Sequence, residues 1–374
     1  MNIMAGSLGG AFPVLRDDRL EVVSVLINDV CNLRCKHCYL GPRTGDPLDP
    51  SEWRQFFASL FSSLAPSVLC FAGKEPFIRR DSVRIWIDAI RLRDQIQRDR
   101  SRRTAIGVIT NGTRLLQHEA ALLASPPDYL DISIDGLPET HDRVRGSGAF
   151  GLLEPNLQWV MKAMPERVRI THTLFGQNVL ELPRFVEMMH QTYGLERFSL
   201  GTYQQLEYTD QTLALGPRLC GLVEAINGLA QIPGCEGVEV VVEIGPRQRA
   251  EAGVMAQFGW VPSRHPFSSD VIALPNGVQL RVNFGAVPTG IWRAVRVSTG
   301  GHWVAAEDLF EPALYSINAV ASLRQLGFAA DLAYEQGLTH VRFHQLIDDF
   351  TGEFEAWPYG VRLLDHLFEG SATR

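Results

Sequence analysis

The chain has no apolar run approaching the roughly 20 residues a bilayer-spanning helix needs, so no membrane span is expected. Residues 1–20 lack a basic start followed by an apolar segment, and no signal peptide is expected there. Positive charge is not in excess. Against 35 Lys and Arg stand 42 Asp and Glu, a formal net charge of -7 at pH 7, which argues against a nucleic-acid partner. Arginines do gather between Arg91 and Arg103, but aspartates interrupt them, as on a solvated helix face and the loop after it. Cysteine is scarce, 6 in 374 residues, and too uneven for a disulfide framework. Three of the six fall between positions 31 and 38. Such crowding points to metal binding in a reducing compartment, so the cytoplasm is the expected location.

What is present is alternation. Strand-like runs at 21–28, 68–72, 105–109, 129–134, 168–174 and 197–200 alternate with helical patterns. The helix opened by Asp49-Pro50-Ser51 carries Trp53, Phe56, Phe57, Leu60, Phe61 and Leu64 at helical spacing. Further helices are expected about 83–90, up to 124, at 152–164 and at 182–193. Six βα units imply a parallel sheet with right-handed crossovers, its strands apolar on both faces. Sites in such folds lie at the carboxyl ends of the strands. The expected architecture is α/β, a partial (β/α)6 barrel over 21–216, preceded by an extension over 1–20. A smaller α+β cap over 217–374 follows, with a helix at 218–229, a strand at 238–244 and a hairpin at 271–284 turning at Pro275-Asn276-Gly277. Helical stretches at 316–326 and 338–350 complete the cap.

The chemistry gathers after the first strand, in Cys31-Asn-Leu-Arg-Cys35-Lys-His-Cys38-Tyr39. Three thiolates at this C-x3-C-x2-C spacing can each hold a different iron of one cubane and leave the fourth iron open. A closed zinc site would want a fourth ligand, and His37 is trapped between two cysteines. Incidental thiols are the third reading.

This pattern resembles the radical SAM superfamily. Ala72-Gly73-Lys74-Glu75-Pro76 resembles that family's Gly-Gly-Glu-Pro segment, and Thr110-Asn111-Gly112-Thr113 its Thr-Asn-Gly segment. Ser133-Ile134-Asp135-Gly136, His141-Asp142-Arg143-Val144-Arg145-Gly146 and Gly148-Ala149-Phe150 resemble a stretch of the anaerobic sulfatase-maturating and related peptide-modifying enzymes. The resemblance covers about 20–200. It implies a [4Fe–4S] cluster on Cys31, Cys35 and Cys38 that cleaves S-adenosylmethionine (SAM) reductively, giving a 5′-deoxyadenosyl radical that abstracts hydrogen from a substrate. By the same resemblance Tyr39, Gly73, Lys74, Glu75, Pro76, Asn111, Ser133 and Arg145 contact SAM, with Glu75 at its amine and Ser133 and Arg145 at its carboxylate. Lys74 departs from the family, where a second glycine is usual.

Relatives of that kind often carry auxiliary clusters in a cysteine-rich C-terminal domain, SPASM. Only Cys220 and Cys235 follow the barrel, with Cys70 in the second strand and Val282 about where a SPASM cysteine falls, so a cluster-less SPASM-like or unrelated cap is expected. Cys220 and Cys235 are candidate hydrogen donors to a substrate radical. Tyr203 and Tyr208 are candidate pocket residues or loop residues. His172 reads as a satisfied core histidine, and Glu243 and Arg247 as candidate polar contacts. The implied partners are a peptide in natural-product maturation, or a small sugar or nucleoside metabolite, and a one-electron donor such as flavodoxin or ferredoxin. A non-catalytic Fe–S or zinc protein is the reading from another class.

Overall fold

The computed structural model describes residues 22–28, 30–38, 48–98, 103–203, 210–214, 219–244, 272–284, 294–297 and 303–305. The extension at 1–20 and the helical stretches expected at 316–326 and 338–350 lie outside them. In chain order come β1 (Val22–Leu26), α1 (Pro50–Ser59), β2 (Val68–Ala72), α2 (Arg80–Ile96), β3 (Ala105–Thr110), α3 (Glu119–Ala124) and β4 (Tyr129–Ser133). Two helices follow, α4 (Pro138–Arg145) and α5 (Ala149–Ala163), and then β5 (Val168–Leu174), α6 (Leu182–Tyr193) and β6 (Arg197–Thr202). After them lie α7 (Leu219–Leu229), β7 (Glu239–Ile244), β8 (Ile272–Ala273), β9 (Gln279–Phe284), β10 (Ala294–Val297) and β11 (Trp303–Ala305).

The strands form one sheet in the order β11-β10-β1-β2-β3-β4-β5-β6-β7-β9-β8. Pairings from β10 through β9 are parallel. Among the described strands, β11 and β8 alone run antiparallel to their neighbours. Among the described residues the two outer strands do not meet, so the sheet is an open partial barrel. It continues beyond residue 217, because β7 and β9 extend it past β6 and β10 adds to it beside β1. The expected hairpin is β8–β9, closed by Leu274 N–H to Val278 O at 2.8 Å and Gly277 N–H to Leu274 O at 2.9 Å.

Local sequence explains where the helices begin. Asp49 caps α1, accepting from the backbone N–H of Ser51 and Glu52, while Glu52 returns a carboxylate to the Asp49 N–H. In α5 the cap comes from outside the helix, as the Asp142 carboxylate accepts from Gly148 N–H and Phe150 N–H, both at 2.7 Å. That contact accounts for the spacing between the His141-Asp142 and Gly148-Ala149-Phe150 segments. It also sets α4 and α5 end to end, where the sequence reading expected a single helix.

The hydrophobic core lies between the sheet and its helices. Val23, Val25, Leu69, Phe71, Ile106, Val108, Leu130 and Ile132 meet Trp53, Phe57, Trp86, Leu157 and Phe185 there, all nearly or fully buried. Removing each large apolar side chain from water contributes about 1.5–3 kcal/mol. The opposite face, toward the barrel interior, corrects the expectation of strands apolar on both sides. It carries a small apolar patch of Val68, Cys70, Ala72 and Tyr129, and then Asp131, Ser133, Arg169, Thr171, Thr173 and Ser199. Arg169 pairs bidentately with Asp131, at 2.6 and 2.7 Å, and lies 3.8 Å above the Tyr129 ring. A buried ion pair of this kind is tolerated because the fork satisfies both carboxylate oxygens. Gly107 makes room for it, since a Cβ there would stand 1.9 Å from the Tyr129 ring.

Candidate functional site

The parallel sheet brings four loops to its carboxyl edge: 30–38 after β1, Gly73 to Phe77 after β2, Asn111 to Thr113 after β3, and Ile134 to Gly136 after β4. Buried polar side chains bind the loops together. Asn28 donates to the Glu75 carbonyl and to Ser82 Oγ, both at 3.0 Å, and accepts from Val30 N–H at 3.0 Å. Glu75 N–H in turn donates to Val30 O at 3.0 Å. The Glu75 side chain is fully buried. Its carboxylate accepts from Phe77 N–H at 3.0 Å, Thr110 Oγ1 at 2.7 Å and Asn111 N–H at 2.8 Å. Burial pushes its carboxyl up, and those three donors pull the other way. Glu75 therefore fastens the second loop to the third, a structural duty that sequence reasoning did not give it.

Asn111 does more than turn the chain. Its Oδ1 accepts from Thr113 N–H at 3.0 Å, closing the turn, while Nδ2 reaches Asn32 Oδ1 at 3.0 Å and Cys31 Sγ at 3.7 Å. From the other side, Lys36 N–H donates to Val144 O at 2.9 Å and ties the cysteine loop to α4.

The three thiols share this loop closely enough that the charges of Cys38 and Cys31 both act on Cys35. Burial pushes the Cys35 thiol up to about 11, against the opposing pull of Arg145. The Cys31 thiol is likewise raised by burial. Each sulfur meets a nitrogen donor: Cys31 the Leu33 N–H at 3.4 Å and Asn111, Cys35 the Arg145 Nη1 at 3.9 Å, and Cys38 the Lys74 Nζ at 4.0 Å. A neutral thiol is a poor acceptor, whereas a thiolate bound to iron keeps negative charge that such donors stabilise. Three sulfurs in one loop, each with its own donor, fit a polynuclear Fe–S group. Among the described residues no three His, Cys, Asp or Glu side chains are placed to hold a single metal ion.

Asp135, which the sequence reading placed in a motif without a role, anchors Arg145. Fully buried, it accepts from Arg145 Nε at 2.6 Å and from Thr173 N–H at 2.8 Å, and His37 Nε2 stands 3.4 Å away. Burial raises the Asp135 carboxyl, but the Arg145 guanidinium beside it holds it below the usual range. Burial also lowers the His37 imidazole to about 4, so it sits there neutral.

Lys74, Asn111 and Arg145 therefore reach the cysteine loop, while Gly73 and Pro76 flank Lys74 and Glu75 in the loop after β2. Ser133 ends β4 on the interior face, in register with Thr171. Gly73 has φ +120°, open to glycine alone without strain, and a Cβ there would lie 3.1 Å from Leu26 Cδ2. The other candidates lie elsewhere. Cys235 is fully buried in the helix-side core four residues ahead of β7, at the opposite end of the sheet from the cysteines. Tyr203 is buried against Val144, Phe175 and Leu213, with its hydroxyl on the Asp210 carbonyl at 3.0 Å. His172 is the satisfied core histidine expected, bonded to Ile134 O at 2.8 Å and to Asn178 at 3.1 Å. Tyr39, Tyr208 and Arg247, and the side chains of Cys220, Glu243 and Val282, lie outside the described residues.

An open parallel barrel with a three-thiol loop on its first strand defines an α/β protein built for a cluster at its carboxyl edge. Residues 25–189 match the model of the radical SAM superfamily. Proteins of that superfamily use a [4Fe–4S] cluster and SAM and are enzymes. Among curated proteins the chain is similar to an Fe-coproporphyrin III synthase of Methanosarcina barkeri, 28% identical over 46% of this chain and 42% of that one. It is also similar to the mycofactocin maturase MftC of Mycobacterium tuberculosis, 28% identical over 42% of this chain and 39% of that one. The matched region thus spans less than half the length of these relatives. Among solved structures, Streptococcus suis SuiB bound to its precursor peptide SuiA shares the fold. Its TM-score is 0.58 at 12% identity, over 81% of this chain and 63% of that one. Among the described residues no helix is long and apolar enough to cross a membrane.

Proposed function

We propose that Cys31, Cys35 and Cys38 hold the cluster, with SAM completing the site, and that the enzyme modifies a peptide in natural-product maturation. The observation carrying this reading is the set of three thiols on one loop at the strand ends, each facing a nitrogen donor. When bound, the cluster and SAM supply a carbon radical able to remove hydrogen from an unactivated C–H bond. The chain's own residues position and shield. Asp135 fixes the Arg145 guanidinium, whose Nη2 lies outside the contacts to Asp135 and Cys35 and serves the SAM carboxylate together with Ser133. Glu75 acts on the SAM amine by holding the Gly73 to Pro76 loop in place.

The likeness to a mycofactocin maturase, and the fold shared with SuiB bound to its precursor peptide, support a peptide substrate. The likeness to GTP 3′,8-cyclases favours the second reading, a small sugar or nucleoside metabolite. The polar interior face suits either. A reducing cytoplasm suits thiols kept for a cluster, and a flavodoxin or ferredoxin suits the one-electron supply. The test is anaerobic reconstitution with iron and sulfide, followed by incubation with SAM, dithionite and the short peptides encoded beside this chain's gene. Deoxyadenosine together with a changed peptide mass is the expected result. Deoxyadenosine that rises only with small-molecule extracts would move the assignment to a metabolite. No bound iron would end both readings.

A further inference from the structure

The position that departs from the family pattern is also the one that brings a side-chain cation to the third cysteine. Gly73 provides the unusual backbone angle of the turn, φ +120°. Lys74 does not need one, since Ala65 alone has positive φ among the described non-glycine residues. A side chain at 74 therefore costs the loop no backbone strain. The lysine is half-buried, and its stem carries Nζ to 4.0 Å from Cys38 Sγ. That is the outer limit of a hydrogen bond to sulfur, so charge rather than directionality governs the contact. Arg145 stands in the same relation to Cys35 at 3.9 Å, while Cys31 receives only the neutral amides of Leu33 and Asn111. The thiol set is thus cationic on two sides. The Arg145 charge is matched by Asp135 at 2.6 Å.

We propose that Lys74 sets the reduction potential of the cluster from its position beside Cys38, making the site easier to reduce than the family's glycine would. The inference rests on the assignment of the three cysteines to one cluster. Reduction adds one electron from a low-potential one-electron donor, which is itself oxidised by one electron, and no bond forms or breaks. The reduced cluster with its thiolates carries one more negative charge, so a nearby ammonium stabilises it more than the oxidised form. Removing the ammonium must lower the potential. For a unit charge a few ångströms away in a half-buried site, the change in the reduced-to-oxidised ratio is about tenfold. For a one-electron couple that is about 59 mV.

The test is a potentiometric titration followed by EPR on the full chain, reconstituted without oxygen, comparing wild type with Lys74→Met, Lys74→Gln and Lys74→Arg. Iron and sulfide are counted on the same samples. The expected result is about four irons in every sample, midpoints lowered by about 59 mV in the Met and Gln variants, and most of the shift recovered by Arg. Because Gln keeps a donor and loses the charge, it separates charge from hydrogen bonding. Full iron with an unmoved midpoint in Lys74→Gln would overturn the proposal. So would loss of iron in both neutral variants, which would make Lys74 a support of the loop. Wild type without iron would instead overturn the cysteine assignment itself.

Discussion

Asp135→Asn is the sharpest perturbation of the site's framework. The substitution keeps the shape of the side chain and can keep the bond from Thr173 N–H, but it removes the charge opposite Arg145. Both partners are nearly sealed from water, Asp135 at 0% and Arg145 at 8% exposure. Stranding one charge of a buried pair costs about 3–5 kcal/mol, because the remaining ion keeps its desolvation penalty and loses its compensation. Against a whole-domain stability of about 5–15 kcal/mol, that is a large loss. Arg145→Met should cost a similar amount for the mirror reason. The double variant should cost much less than the two singles added, since no orphan charge remains. The assay is urea unfolding of the iron-free chain, followed by circular dichroism, with unchanged slopes required before midpoints are compared. A loss below about 1 kcal/mol for Asp135→Asn, or strict additivity in the double variant, would refute the claim that this pair is a tightly coupled buried unit.

Three further outcomes follow from named contacts. Cys35→Ala should bring bound iron well below the roughly four expected of the cubane, read by iron and sulfide analysis; undiminished iron would remove Cys35 from the ligand set. Gly107→Ala should destabilise by about 1–3 kcal/mol, because the new methyl meets the Tyr129 ring held under Arg169; a midpoint unchanged in urea would show that the ring can yield. Gly73→Ala should cost about 1–3 kcal/mol through its backbone angle and also weaken cluster retention. A variant with wild-type unfolding and iron content would disprove the need for glycine there.

Much of the fold could be read from the sequence because helix-side packing writes a strong pattern. Each strand puts residues such as Leu69, Phe71, Val108 and Ile132 toward the helices, and a helix such as α1 answers with Trp53, Phe56 and Phe57. Local chemistry fixed boundaries too, as at the Asp49 cap and the β8–β9 turn. The strands β10 and β11 were missed because 4 and 3 residues carry no usable period. Helix α4 was missed because its side chains serve neighbours: Asp142 caps α5, and Arg145 turns to Asp135 and Cys35.

The site shows the same division between what a motif names and what a fold assigns. Spacing alone could place three thiols on one loop. It could not show that Glu75 spends its carboxylate on Thr110 and Asn111, because those partners stand 35 and 36 positions away and meet it only once β2 and β3 are paired. The polar interior face was hidden for a related reason. Asp131 and Arg169 are 38 residues apart, and each looks like a misplaced charge in an apolar strand until the β4–β5 register sets them side by side. A charge within a strand of a parallel barrel is therefore best read as half of a pair whose other half lies one strand over, at the same height. Alternation with Leu280, which packs in the helix-side core, puts Arg281 on β9 on the interior face as well, in register with Val241 of β7.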